Sequence, residues 1–169
     1  MKVKELVLKV ASLVTAVLAF VGLAFKYLYQ STTVANVTRG DHVSLKDANE
    51  MLDTMSKLDK PYRPDYYGWL KAGKVFMIIA LVVVAVLAVI TIVQFFYNHK
   101  ILSLVKMVVA GVAIALAVVF FVCILVGCLK VESGVPGVTA SMVPNVAVYF
   151  VTLFCVASGV TALLDRKTK

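Results

Sequence analysis

Val75 to Asn98 reads VFMIIALVVVAVLAVITIVQFFYN, 24 residues without a charge, bounded by Lys74 on one side and by His99 with Lys100 on the other. A helix of this length rises about 36 Å, enough to cross a hydrocarbon core of about 30 Å. Val82, Val83, Val84, Val86, Val89, Ile90, Ile92 and Val93 are β-branched and would favour a strand in water. In lipid only a helix satisfies the backbone hydrogen bonds of a single crossing segment, so the run is read as a transmembrane helix.

Three further runs lie around it. Met107 to Leu129 is flanked by Lys106 and Lys130, and the last run extends from about Asn145 to Leu164, opened by Pro144 and closed by Asp165 and Arg166. The first covers about Leu6 to Tyr29, but its uncharged part, Val10 to Phe25, is only 16 residues. That part rises about 24 Å, so Lys9 and Lys26 are expected to reach the two interfaces by snorkelling. Lys2, Lys4 and the small residues Gly22 to Ala24 have features of a signal peptide, but we read this run as a retained span. The expected architecture is an all-α integral membrane protein of one domain, residues 1–169. Its four transmembrane helices, at about 6–29, 75–98, 106–129 and 145–164, form a bundle.

The composition agrees. The chain of 169 residues is 62% apolar and 15% charged, against roughly 45–50% and about 25% in soluble domains. Four spans leave no room for a separate catalytic domain. The net charge of +8 is read as basic flanks of the spans meeting anionic lipid, with no basic and aromatic surface for nucleic acid. One side of a four-span layout carries Lys2, Lys4, Lys9, Lys100, Lys106, Arg166, Lys167 and Lys169 with two acids, Glu5 and Asp165. The other spreads nine basic and seven acidic residues over a longer stretch. That density bias places both termini in the cytoplasm and residues 31–74 outside it.

Within the outer loop, Ser44 and Asp47 have the form of a capping box, and Leu45, Ala48, Met51, Leu52, Met55 and Leu58 recur at spacings of three and four. The pattern predicts an amphipathic helix over about 45–59. Tyr62, Tyr66, Tyr67 and Trp69 then form an aromatic segment suited to the membrane interface. Leu45, Met51, Leu52 and Met55 together with those four aromatics are the candidate partner-binding surface; the same stripe also suits lying on the span ends or in the headgroup layer, and the aromatics suit an anchoring belt. Asn36-Val37-Thr38 spells a glycosylation sequon, read as a chance match. The second outer loop, 131–144, holds Gly134, Pro136, Gly137 and Pro144 and reads as turns.

No Asp, Glu, Lys, Arg or His lies between the residues bounding each span, so the acid-base groups of coupled transporters and intramembrane enzymes are missing. His42 and His99 fall outside the spans, and no metal-binding motif or cofactor site is apparent. Cys123, Cys128 and Cys155 lie in apolar runs, where small-residue packing is their default role. Small and weakly polar residues do follow helical spacing. Ser12, Thr15 and Ala19 in the first span, Gln94 in the second, and Gly111 with Ala115 in the third are candidates for helix packing or pore lining. Gln94 is expected to make an interhelical hydrogen bond.

A span, a long outer loop, a span, a short turn, a span, a shorter loop and a final span form a layout similar to tetraspan families such as the claudins. The likeness is one of layout: the first loop has a single tryptophan, Trp69, and no cysteine, so no residue role is carried over. Function is expected to be non-catalytic and to work by assembly in the lipid bilayer. The chain would be an accessory or structural subunit binding a membrane protein partner or itself, or alternatively a homo-oligomeric, weakly selective channel.

Overall fold

The computed structural model describes residues 3–97, 100–131 and 138–167. The chain is mostly helical, and four of its helices are long and apolar enough to cross a membrane. It is therefore an integral, multi-pass membrane protein. These helices are α1 (Val3–Val21), α3 (Tyr66–Phe96), α4 (Lys100–Leu129) and α5 (Val146–Lys167), and a shorter α2 (Leu45–Ser56) lies between the first two. His99 and the expected turn residues Gly134, Pro136 and Gly137 lie outside the described residues.

The all-α expectation needs a correction. Strands β1 (Leu28–Val34), β2 (Val37–Val43) and β3 (Val138–Pro144) form an antiparallel sheet in the order β2-β1-β3. Leu28, expected inside the first span, opens β1 opposite Val43 on one side and Pro144 on the other. Helix α1 stops at Val21, followed by a 3-10 turn over Gly22–Ala24. β1 and β2 join through Ala35 and Asn36, whose φ values of 47° and 66° give the doubly left-handed turn that matches strand twist in a two-residue hairpin. Asn36 adopts that conformation more readily than most residues, so the supposed sequon is a turn signal. Short-range polar ladders support the sheet, with the Ser31 and Ser141 hydroxyls 2.7 Å apart and those of Thr33 and Thr38 2.8 Å apart.

The helices pack side by side: α3 runs along α4, and α5 fills the space between α4 and α1. The interfaces are lined by small residues. Ala110, Ala113 and Ala117 of α4 are fully buried, as is Ala19 of α1. A Cβ at Gly159 of α5 would come within 2.9 Å of the Ala110 carbonyl oxygen, so this crossing needs glycine to bring the backbones together. The apolar stripe of α2 covers the sheet-side ends of these helices, with Ala48 and Leu52 buried and Leu45, Met51 and Met55 packed on the same core.

Helix α2 ends at Ser56 rather than near 59, and Arg63 bonds one carbonyl at its end and one just past it. Its Nε donates to Leu58 O at 2.8 Å and a terminal nitrogen donates to Ser56 O at 2.7 Å. At the other end the capping box forms as expected. The Ser44 Oγ accepts from the Asp47 N–H at 3.2 Å, and the Ser44 N–H donates to the Asp47 carboxylate at 3.1 Å. The Ser44 hydroxyl and backbone N–H hold the Asp47 carboxyl below its ordinary value, with Lys26 and Lys46 adding to the effect.

A group whose pKa is lowered by folding stabilises above its unfolded value, about 3.9 for Asp, and loses that contribution as pH falls through the lowered value. The protection factors of the amides at the start of α2, taken relative to the intrinsic exchange rate at each pH, should therefore fall at acid pH, and Asp47→Asn should remove that fall. A parent and variant with the same acid profile would contradict this assignment.

Candidate functional site: a buried ionic cluster

Three of the charges expected to flank the spans, Lys9, Lys106 and Asp165, turn inward instead, while Lys26, Lys100 and Lys130 are exposed. Lys9 is 1% exposed, and its Nζ donates to the Glu5 carboxylate at 2.9 Å and to the Gln94 carbonyl of α3 at 3.2 Å. Its ammonium also lies 5.3 Å from the centre of the Phe95 ring. Lys106 of α4 meets the Asp165 carboxylate of α5 at 2.7 Å, both side chains being 3% exposed. The snorkelling expected of Lys9 is thus corrected, as is the expectation that the interior holds no charge. An ammonium one turn inside an apolar helix has two ways to avoid desolvation, and here a carboxylate within reach substitutes for the interface.

Polar side chains extend the cluster toward the middle of the helices. Ser158 Oγ of α5 donates to the Ser12 carbonyl of α1 at 3.3 Å, and Thr91 Oγ1 donates to Leu87 O of its own helix at 2.8 Å. The cluster ties α1 to α3 through Lys9, α1 to α5 through Ser158, and α4 to α5 through Lys106. All four long helices are held at one end by bonds that carry no net charge. Breaking such a pair costs far more than replacing both members with apolar residues, so its worth lies in fixing which helices meet.

Gln94 is 2% exposed, and the interhelical bond at this position is made by its backbone carbonyl. The amide Oε1 has no hydrogen-bond partner among the described residues. Ser12 and Ala19 are fully buried, and Thr15 is half-buried with its hydroxyl donating to Ala11 O at 2.8 Å. The first-span stripe therefore faces the chain's own helices. Gly111 and Ala115 lie on the outward side of α4, and nothing stands within 4 Å of a Cβ built at Gly111.

Of the candidate recognition residues, Leu52 and Tyr67 are buried, and Leu45, Met51, Met55 and Tyr66 are half-buried against the core. The apolar stripe of α2 is thus occupied within the chain. Tyr66, Tyr67 and Trp69 form the first turn of α3 rather than part of a loop. Tyr67 has the Arg63 and Lys71 cations each 5.6 Å from its ring centre. Tyr62 is 75% exposed, and Trp69 is 38% exposed with Lys130 5.7 Å from its ring centre.

The sequence reading missed Glu5, Lys106 and Asp165 as interior groups. For Glu5 a signal exists, since its spacing of four from Lys9 puts both on one helical face.

Concavities among the described residues include two that lie away from the cluster. A groove of about 570 Å³ between α1 and α3, lined by Phe20, Leu81, Val82, Val86 and Ile90 among others, is wholly apolar. A hollow of about 480 Å³ on the sheet is lined by Gln30, Thr32, Arg39, Gly40 and Asp41. Among the described residues no three His, Cys, Asp or Glu side chains converge. In comparisons with known proteins the chain matches no family model and no curated protein.

Proposed function

We propose that this is a non-catalytic membrane protein that works by assembly, as a structural or accessory subunit of a membrane complex. The observation that carries this reading is the uncovered edge of the sheet. Among the described residues β2 pairs only with β1, and six of its seven residues are exposed. An edge strand offers a row of free backbone donors and acceptors, the surface through which sheets recruit another chain. The buried charged side chains, by contrast, are engaged within the chain: Lys106 and Asp165 join α4 to α5, and Lys9, paired with Glu5 of its own helix, reaches α3 through the Gln94 carbonyl.

The bundle is oriented with both termini in the cytoplasm and with the sheet and α2 outside it. The terminal side carries eight basic residues, Lys2, Lys4, Lys9, Lys100, Lys106, Arg166, Lys167 and Lys169, against two acids, Glu5 and Asp165, so a net positive charge remains there after each acid is counted. This retains the density bias that orients spans. Amine-reactive cross-linking in intact native membranes should yield a species larger than the 18.3 kDa chain. A chain that stays entirely monomeric at saturating cross-linker would overturn the reading.

A further inference from the structure

The uncovered edge has a sequence that complements itself. β2 reads Val37-Thr38-Arg39-Gly40-Asp41-His42-Val43, so a second β2 laid antiparallel and centred on Gly40 sets Arg39 opposite Asp41, Thr38 opposite His42 and Val37 opposite Val43. Arg39 and Asp41 share one face of the strand, because side chains alternate. Each thus meets an opposite charge on the other copy, twice over, as a two-fold axis requires. Within the chain no salt bridge is formed by either residue among the described residues, and both are exposed.

Hydrogen-bond parity favours the same register. A two-residue hairpin makes the residues flanking its turn, Val34 and Val37, a bonded pair. Arg39 and Asp41 then also point their backbone groups at β1, which leaves those of Thr38, Gly40 and His42 aimed outward; the His42 N–H donates to the Asp41 carboxylate at 2.9 Å in the single chain, a bond that edge pairing exchanges for one to the second copy. Pairing about Gly40 joins the two copies through these outward groups, and the Arg39–Asp41 positions become the close, non-bonded pairs in which opposite side chains approach most nearly.

Gly40 itself is held bare: a Cβ there would collide with the Tyr29 ring, which lies across it from β1. The axis position therefore carries no side chain to obstruct a neighbour. Charges on an edge strand usually deter pairing, but here the change of sign about Gly40 turns them into a recognition code.

We propose that β2 binds β2 of a second copy of this chain, forming a continuous six-stranded antiparallel sheet with the two sets of long helices at its opposite ends. This inference rests on the assembly reading and names its partner. The test uses full-length protein carrying two different tags, co-expressed and purified in mild detergent, where no bilayer dictates orientation.

Arg39→Asp alone and Asp41→Arg alone should each weaken self-association about tenfold or more, because both symmetric pairs become repulsive. The two variants mixed should associate with each other as the parent does, since each then supplies the charge the other lacks. Variants that self-associate like the parent would overturn edge pairing and leave assembly through another surface. A mixture no tighter than either variant alone would overturn the register. A parent that shows no self-association would overturn the second-copy proposal, and the membrane cross-linking above then decides separately whether another chain is bound.

Discussion

Replacing Asp165 with alanine is expected to destabilise the protein by about 3–5 kcal/mol, the cost of leaving one member of a buried ion pair behind. The carboxylate sits 2.7 Å from Lys106 Nζ, and both side chains are 3% exposed. Removing it takes away the carboxylate whose attraction offsets the desolvation of the buried Lys106 ammonium. Lys106→Met combined with Asp165→Leu removes both charges at similar volume and should recover most of the loss, because a buried pair and an apolar pair of the same size are often close in stability. Unfolding midpoints of the three variants in detergent decide the matter. An Asp165→Ala variant as stable as the parent, or a double variant no better than the single one, would show that the pair does not hold α4 to α5.

Leu52→Ala should be the next most damaging change, at about 2–5 kcal/mol for a buried leucine truncated in place. Leu52 is 7% exposed and belongs to the main hydrophobic core, at the centre of the stripe by which α2 lies on the helix ends. The loss should appear locally first, as faster amide exchange throughout α2, since the helix is only 12 residues long and isolated helices of that length are marginal in water. Lys46→Ala on the opposite face, where the side chain is 85% exposed, should change stability by no more than about 0.5 kcal/mol. Equal exchange in the Leu52 variant and the parent would mean that α2 is not held by this stripe.

The spans were legible because a charge-free run of 24 residues has one stable solution in lipid. The capping box of α2 was legible for a similar reason, since Ser44 and Asp47 satisfy each other locally. What the sequence did not reveal is direction. Lys9 and Lys106 mark a span boundary whether their ammonium groups rise to the interface or turn inward, and the partner that decides the question for Lys106 lies 59 residues away.

The sheet was hidden by the same distance effect, since β3 reaches β1 from the second loop and pairs Ser31 with Ser141. Its first hairpin did carry a local signal in Thr32, Thr33 and Val34 before the turn and Val37 and Thr38 after it. The loop stripe was legible as apolar, and of its two expected destinations, the span ends and a partner, it takes the first. Leu52 and Met55 meet the chain's own core, which shifts the exposed recognition surface from α2 to the edge of β2.

Native mass spectrometry of the complex, extracted gently from its own membrane into a mild detergent, tests function by assembly most directly. The account predicts a mass of at least two chains of 18.3 kDa, as a whole multiple if copies pair with one another and with an added chain if the protein is an accessory subunit. A single chain with only lipid attached, under conditions that keep other membrane complexes intact, would contradict it.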